Sequence, residues 1–320
     1  MRIGLIDADH MTEDLSKVFP NLPLMKISAY YKSRGDICEW VDYRNIYDIV
    51  YVSKVFSFTR EIQAPVRAGL IITGGSGYAI YTHKGIEKFN LKNHCNLPSF
   101  MEHIYPDYSL YGDRNTAYGF LSRGCPRGCK FCHVAEKEGR KSYKVADLHE
   151  FWRGQKYIEL LDPNTFACPD WEDLLDQLID SKAIVNFNQG VDIRFMTPEK
   201  INKLLQVRVK QVHFAWDRYQ DKEIITKKLK QFKELSGWDH HKVTVYVLTN
   251  YDRTIDQDME RVRFIKDLDF QPYVMRYNKQ SIKKGDIRNH FARYVNTKQI
   301  FWKCGDFEQY YREQQEGLWR

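Results

Sequence analysis

Short apolar runs separated by helix-length intervals recur along most of the chain. In the first third, the runs at 3–6, 22–27, 48–53 and 68–73 have strand length, and the intervals between them are long enough for crossovers. This pattern predicts a small α/β unit with a parallel sheet. The last run ends in Gly74-Gly75-Ser76-Gly77, whose glycines either admit a phosphate or cofactor close to the backbone or make a plain tight turn. Residues 90–117, which include Pro98 and Pro106, have the composition of a connection.

From 118 onward the alternation becomes regular. Strands are expected at 118–122, 157–161, 183–187, 211–216, 243–249 and 271–276, with helical spacing at 143–152, 171–180, 222–235 and 255–268. Asp170 is placed to cap the second of these helices, and Leu174, Leu175, Leu178 and Ile179 share one of its faces. Thr197-Pro198-Glu199 opens a further helix, with threonine as cap and proline in the first position. Six βα units imply a second parallel sheet, with chemistry at the C-terminal ends of its strands. Those ends carry Asp162, Asn164 and Cys168, then Asn188, Gln189, Asp192 and Arg194, then Asp217 and Asn250. The Arg194 guanidinium suits a carboxylate ligand, yet each of these polar groups would equally suit a loop cap.

Directly after the first of these six strands comes Cys125-Pro126-Arg127-Gly128-Cys129-Lys130-Phe131-Cys132. Three thiols so spaced can wrap around one soft metal centre, and Gly124 and Gly128 suit the tight loop this requires. Zinc with His133 as fourth ligand is one alternative, although no second cysteine pair accompanies the motif. Seven cysteines in 320 residues, an odd number, do not suggest a disulfide framework. Cys38, Cys95 and Cys304 are scattered. Cys168 is either an inert buried thiol or a hydrogen donor, methyl carrier or auxiliary ligand.

The C-x3-C-x-Phe-C pattern resembles the signature of the radical S-adenosylmethionine (SAM) superfamily. The resemblance implies a 4Fe-4S cluster on Cys125, Cys129 and Cys132, with SAM chelating the fourth iron through its amino and carboxylate groups. It further implies reductive cleavage of SAM to methionine and a 5′-deoxyadenosyl radical, an external reductase or flavodoxin-type electron donor, and a partial (β/α)6 barrel. Phe131 would pack beside the adenine, Asp162 and Asn164 would meet the SAM amino group, and Asn188, Gln189, Asp192, Arg194 and Asp217 would bind the rest of the cofactor. Cys168 is the candidate catalytic thiol. The first third resembles the Rossmann-like, cobalamin-binding domain that precedes the barrel in one class of these enzymes. Ser53 and Gly74-Gly75 stand where that class has its second and third cobalamin signatures. The first signature, Asp-x-His-x-x-Gly, is absent from Asp7-Ala8-Asp9-His10-Met11-Thr12, so His10 does not match the cobalt ligand and cobalamin is only an alternative cofactor. The expected division is 1–112 Rossmann-like, 113–277 partial barrel and 278–320 an aromatic and basic extension. The whole resembles small, phage-associated radical SAM proteins of unassigned substrate.

Composition narrows the partners. An apolar content of 43% supports a sizeable core, and the opening run of residues 3–6 meets acid at once, so a cytoplasmic protein without a membrane span is expected. The net charge of +7 permits a nucleic-acid or other anionic partner. Lys227-Lys228-Leu229-Lys230 suits the solvated face of a helix; a second basic stretch runs over 279–284. Tyr294, Phe301, Trp302, Tyr310 and Tyr311 in the tail would either stack on bases or pack against the barrel. Three functions follow: radical modification of a nucleobase or nucleotide, radical modification of a peptide or small metabolite, and a zinc-stabilised nucleic-acid-binding module.

Overall fold

The computed structural model describes residues 1–320 apart from Thr12, Gln63, Ala64, Gly85, Asp113, Arg114, Asp252, Arg253 and residues 318–320. Thr12, the last residue of the segment compared with the cobalamin signature, Asp113, the expected start of the barrel, and Arg320, the end of the tail, thus lie outside the described residues. The fold divides into two compact units, Met1–Ile184 and Val185–Arg320.

The first unit begins with β1 (Arg2–Asp7), α1 (Leu22–Ser33), β2 (Ile37–Trp40), β3 (Tyr47–Ser53) and β4 (Ala68–Gly74). The strands form a parallel sheet in the order β2-β1-β3-β4. Three of the four expected runs are strands. The run at 22–27 is instead the start of α1, because Asn21 accepts the Leu24 N–H at 3.3 Å and Pro23 occupies the first turn. The half-polar β2, which lacks a continuous apolar run, takes its place in the sheet.

The strand order reverses between β1 and β3, the point at which open α/β sheets commonly bind ligands. Here the chain's own groups meet at those strand ends. Tyr111 Oη donates to Asp7 at 2.6 Å, and Asn21 Nδ2 donates to Ser53 Oγ at 2.8 Å. Gly77 N–H donates to the Lys54 carbonyl at 2.9 Å, and a Cβ on Gly75 (φ +99°) would stand 2.2 Å from the same oxygen. The glycine run is therefore a tight turn packed on its own backbone. It leads into α2 (Ser76–Ala79), the hairpin of β5 (Ile80–His83) and β6 (Ile86–Phe89), and a connection containing α3 (Ser99–Glu102).

Still in the first unit come β7 (Thr116–Gly119), β8 (Ser122–Arg123), α4 (Val134–Glu138), β9 (Tyr143–Lys144), β10 (Tyr157–Leu160) and α5 (Trp171–Ser181). The strand expected at 118–122 stops at Gly119, where a Cβ would lie 2.3 Å from the Phe151 ring. No helix spans 143–152. Tyr143–Lys144 pairs antiparallel with Ser122–Arg123, and the Asp147/Glu150 capping box closes a single turn at Leu148–Glu150.

The second unit contains β11 (Ile184–Val191), α6 (Pro198–Leu204), β12 (Val209–Ala215), α7 (Lys222–Ser236), β13 (Val243–Thr249), α8 (Ile255–Asp267) and β14 (Gln271–Arg276), followed by α9 (Ile287–Asn296), α10 (Lys298–Lys303) and α11 (Phe307–Gln315). The larger sheet has six strands in chain order, β14-β13-β12-β11-β10-β7, so the fold class is α/β. Thr197 caps α6 through the Lys200 N–H, with Pro198 in the first position. In α7, Ile225, Leu229 and Phe232 are buried, while Lys227 and Lys230 are exposed, as a solvated helix face requires. Phe291, Tyr294, Phe301 and Tyr310 of the tail are buried. These rings thus pack inside this unit, which corrects the base-stacking reading for Tyr294, Phe301 and Tyr310. Among the described residues no helix is long and apolar enough to cross a membrane.

A buried ion pair fixes the strand ends of the second unit. Asp258 and Arg261, one turn apart on α8, are both fully buried and joined side chain to side chain. Arg261 also donates to the carbonyls of Trp216 and Leu248, the latter at 2.8 Å, and Thr249 Oγ1 donates to Asp258. Backbone acceptors next to β12 and at the end of β13 thereby gain donors that neither helix nor sheet supplies. Removing one partner leaves a buried charge uncompensated, at a cost of about 3–5 kcal/mol. Asp258→Ala is expected to unfold at markedly lower urea than wild type, while an Asp258→Leu/Arg261→Met double variant recovers much of the loss. Equal midpoints for wild type and Asp258→Ala would contradict this account.

Candidate functional site

The cysteine loop hangs from two short strands. After Gly119 the chain leaves the sheet, and Leu121 N–H and Ser122 N–H each donate to the Asp162 carboxyl at 2.8 Å. Ser122 Oγ adds a bond at 2.5 Å and Thr165 Oγ1 one at 3.3 Å. The β8–β9 pair then closes the neck of the loop. Inside it, Gly124 N–H and Arg123 both donate to Glu138, at 3.0 and 3.1 Å, and Cys125 N–H donates to the Gly139 carbonyl at 3.3 Å. A Cβ on Gly124 (φ +78°) would stand 2.0 Å from the Lys141 carbonyl, so only glycine fits this crossing.

Cys125 and Cys129 are half-buried and Cys132 is exposed; Cys132 N–H donates to the Cys129 carbonyl at 3.0 Å. Phe131 is half-buried beside them. Asn164, only 1% exposed, donates from Nδ2 to Cys125 Sγ at 3.6 Å. Its Oδ1 is buried and has no partner among the described residues. A side chain that donates to a loop sulfur and holds an unmet acceptor beside it is uncommon, because buried acceptors are ordinarily satisfied. Asp162 differs: its oxygens meet the chain's own N–H and O–H groups, so it shapes the entry to the loop.

His133 stacks on Phe89, with ring centroids 5.9 Å apart, and pairs with Glu136 at 3.7 Å. Among the described residues no three or more His, Cys, Asp or Glu side chains gather as a single metal ion requires. A four-iron cluster takes each thiolate on a separate iron, so its demand is three thiols rather than one converged donor set, and Cys125, Cys129 and Cys132 are the residues of this loop that could hold one. Cys168 is buried, with Sγ 3.8 Å from Asp170 Oδ2, and burial pushes its thiol above the ordinary range, which favours the protonated form. No disulfide joins any of the seven cysteines.

The candidates of the second unit form their own cluster. Arg194 holds Asp192 in a bidentate pair at 2.6 and 3.0 Å and reaches Asp221 at 2.6 Å, and Arg218 pairs with Asp221 at 3.1 Å. The guanidinium expected to meet a ligand carboxylate thus already faces two carboxylates of the chain. Asp217, at the end of β12, has no hydrogen-bond partner among the described residues. Burial pushes its carboxyl up to about 6, against the pull of Arg261 and Arg194. Asn188 is half-buried and Gln189 exposed, while Asn250, directly after β13, donates to the Tyr277 carbonyl just past β14 at 2.9 Å. Sequence reasoning missed three members of this unit's polar sheet face, His213, Tyr246 and Tyr273, since each sits within an apolar strand run.

The Asp162 environment has a pH signature. Burial pushes its carboxyl up to about 7, although the four donors favour the carboxylate. In the unfolded chain it titrates near 4, so between about pH 4 and pH 7 the folded state holds a proton that the unfolded state lacks, and stability falls as pH rises through that window. Wild type should withstand more urea at pH 5 than at pH 7.5. Asp162→Asn should flatten this dependence and cost about 1–3 kcal/mol, because its amide presents N–H to the N–H groups of Leu121 or Ser122. A wild-type stability that is flat or rising across the window would refute the assignment.

No family model matches the chain, and no curated protein matches it.

Proposed function

We propose that the protein is a radical SAM enzyme whose cysteine loop holds a 4Fe-4S cluster and whose second sheet is part of a partial barrel. The observation that carries this reading is Asn164: one buried amide donates to a thiol of the three-cysteine loop and leaves a bare acceptor next to that sulfur. Such a cluster would supply one electron, drawn from a reductase or flavodoxin-type donor, for reductive cleavage of SAM to methionine and a 5′-deoxyadenosyl radical able to take a hydrogen atom from the substrate. Cys125, Cys129 and Cys132 would hold three irons. Asn164 Nδ2 lowers the charge density on Cys125, and Oδ1 would accept a hydrogen bond from an ammonium such as that of SAM. Asp162 acts as a positioning residue, gripping the backbone that enters the loop. Cobalamin has less support, since Ser53 and the Gly74–Gly77 turn are both engaged by the chain itself.

The decisive test is anaerobic. The protein is reconstituted with iron and sulfide, reduced, mixed with SAM and assayed for 5′-deoxyadenosine, beside a Cys125→Ala/Cys129→Ala/Cys132→Ala variant. Nucleoside from wild type alone supports the proposal; an iron-replete wild type that makes none, with no spectral response to SAM, sinks it. Asn164→Ala should keep the iron and weaken SAM binding about tenfold or more, the loss of a buried bond to a charged group. SAM affinity unchanged in this variant would remove Asn164 from the cofactor site.

A further inference from the structure

The sheet of the second unit has two unlike faces. One is apolar and covered by helices: Phe214, Val245 and Val274 are buried, Phe214 meets Phe232 edge-on at 4.8 Å, and Trp216 meets Phe264 at 5.8 Å. Strand alternation puts Gln211, His213 and Ala215, then Thr244, Tyr246 and Leu248, then Gln271, Tyr273 and Met275 on the other. Toward the strand N-termini this second face closes on itself. Gln211 Nε2 donates to Thr244 Oγ1 at 2.8 Å, and Trp302 Nε1 donates to Gln271 Oε1 at 2.8 Å.

Two residues further along each strand the pattern changes. The rings of His213 and Tyr246 lie nearly parallel, 9° apart with centroids at 5.3 Å, and Tyr273 meets Tyr246 edge-on at 5.8 Å. Tyr273 is 44% exposed and Met275 45%. His213 Nδ1 lies 2.8 Å from the Phe187 carbonyl, which can only accept, so Nδ1 carries the proton and Nε2 presents a lone pair. Burial lowers the His213 pKa, with Lys298 acting in the same sense, which keeps the ring neutral. Among the described residues Nε2 and the hydroxyls of Tyr246 and Tyr273 have no partner. Beyond them stand Ala215 and Leu248, which bring no hydrogen-bonding group.

We propose that this row, His213, Tyr246 and Tyr273, is a binding platform for a nucleobase. A base offers what the row lacks: a flat π-face for Tyr273 and an edge whose N–H donates to His213 Nε2 while its carbonyl or ring nitrogen accepts from a tyrosine hydroxyl. Two fixed polarities, an imidazole acceptor and phenol donors, match the mixed edge of a guanine, cytosine or uracil. A purely apolar ligand would leave all three polar groups unmet. The inference rests on the proposed function in that it names the substrate class of that enzyme, and it is tested separately.

The test uses cluster-free protein and the monophosphates of guanosine, cytidine and uridine, with ribose 5-phosphate as control; adenine is left out because SAM carries it. Binding is followed by calorimetry, and single-stranded oligonucleotides form a second arm. At least one base should bind more tightly than ribose 5-phosphate, and Tyr273→Ala, at an exposed position, should weaken it about tenfold. Tyr81→Ala, at an exposed tyrosine of the β5–β6 hairpin, should leave binding unchanged. Binding in the mononucleotide arm identifies a free nucleotide as the source of the base, and binding only to oligonucleotides identifies a nucleic-acid strand. No base bound above the control in either arm, or Tyr273→Ala binding as wild type, would overturn the proposal. A protein that yields 5′-deoxyadenosine but binds no base sinks this inference alone; one that binds bases but never cleaves SAM sinks the reading of the cysteine loop alone.

Discussion

The carboxyl of Asp162 is the constraint on which the first unit's candidate site depends. Once the edge strand β7 ends at Gly119 and the chain leaves the sheet, the N–H groups of Leu121 and Ser122 have no neighbouring strand to receive them. Buried donors of this kind must find acceptors within the protein. One carboxyl at the end of β10 receives both, and Ser122 Oγ as well, so the exit path of the chain is set before the cysteines begin. Phe151 over Gly119 and the β8–β9 pair then leave the loop few ways to run. The same carboxyl lies two residues before Asn164, so entry to the loop and the buried amide at Cys125 are fixed by one short segment.

The second unit solves the equivalent problem with the opposite charge. Where strand ends expose carbonyls, a buried guanidinium supplies the donors: Arg261 reaches Trp216 and Leu248 while Asp258 balances it. A neutral side chain could fill the volume but could not bond two carbonyls and a carboxylate at once, which is the advantage of a planar fork with five donors. Asp217 follows directly on Trp216, so its position is inherited from this arrangement. Its raised carboxyl pKa comes mainly from burial, with Arg261 opposing it.

Much of this was legible in the sequence, and the failures have physical causes. The strands at 243–249 and 271–276 agree to the residue with β13 and β14, and α6 begins where its Thr197 cap places it, whereas α5 begins after Asp170 without a capping hydrogen bond from that side chain. The run at 22–27 misled because apolar content alone does not separate a strand from a buried helical face; Asn21 and Pro23 carried the missing signal. Spacing at 143–152 suggested a helix, but a two-residue strand pairing and a capping box, both set by contacts distant or local to the turn, took the segment instead. The cysteine motif is visible in the sequence because its three thiols lie close together along the chain. Asn164 was nominated by position, whereas its unmet oxygen could be seen only once its surroundings were known.

The aromatic residues show why composition could not assign a ligand. The tail's rings drew notice because they are dense and flanked by arginine, yet Tyr294 and Tyr310 pack against Phe307 in the interior. The rings of the second unit's sheet, the exposed Tyr273 with the half-buried Tyr246 and the buried His213, are instead interleaved one at a time in its strands, where period-two alternation hides them. Pairing register sets Tyr246 beside Tyr273, and the ring of His213, one rung earlier on β12, reaches Tyr246 diagonally. A platform built this way differs from one built on a terminal helix. Its rings are held by a hydrogen-bonded sheet, and the Phe187 carbonyl selects the imidazole tautomer before any ligand arrives. Little conformational freedom is then left to lose on binding, so a flat ligand would be chosen by the fit of its polar edge more than by total contact area.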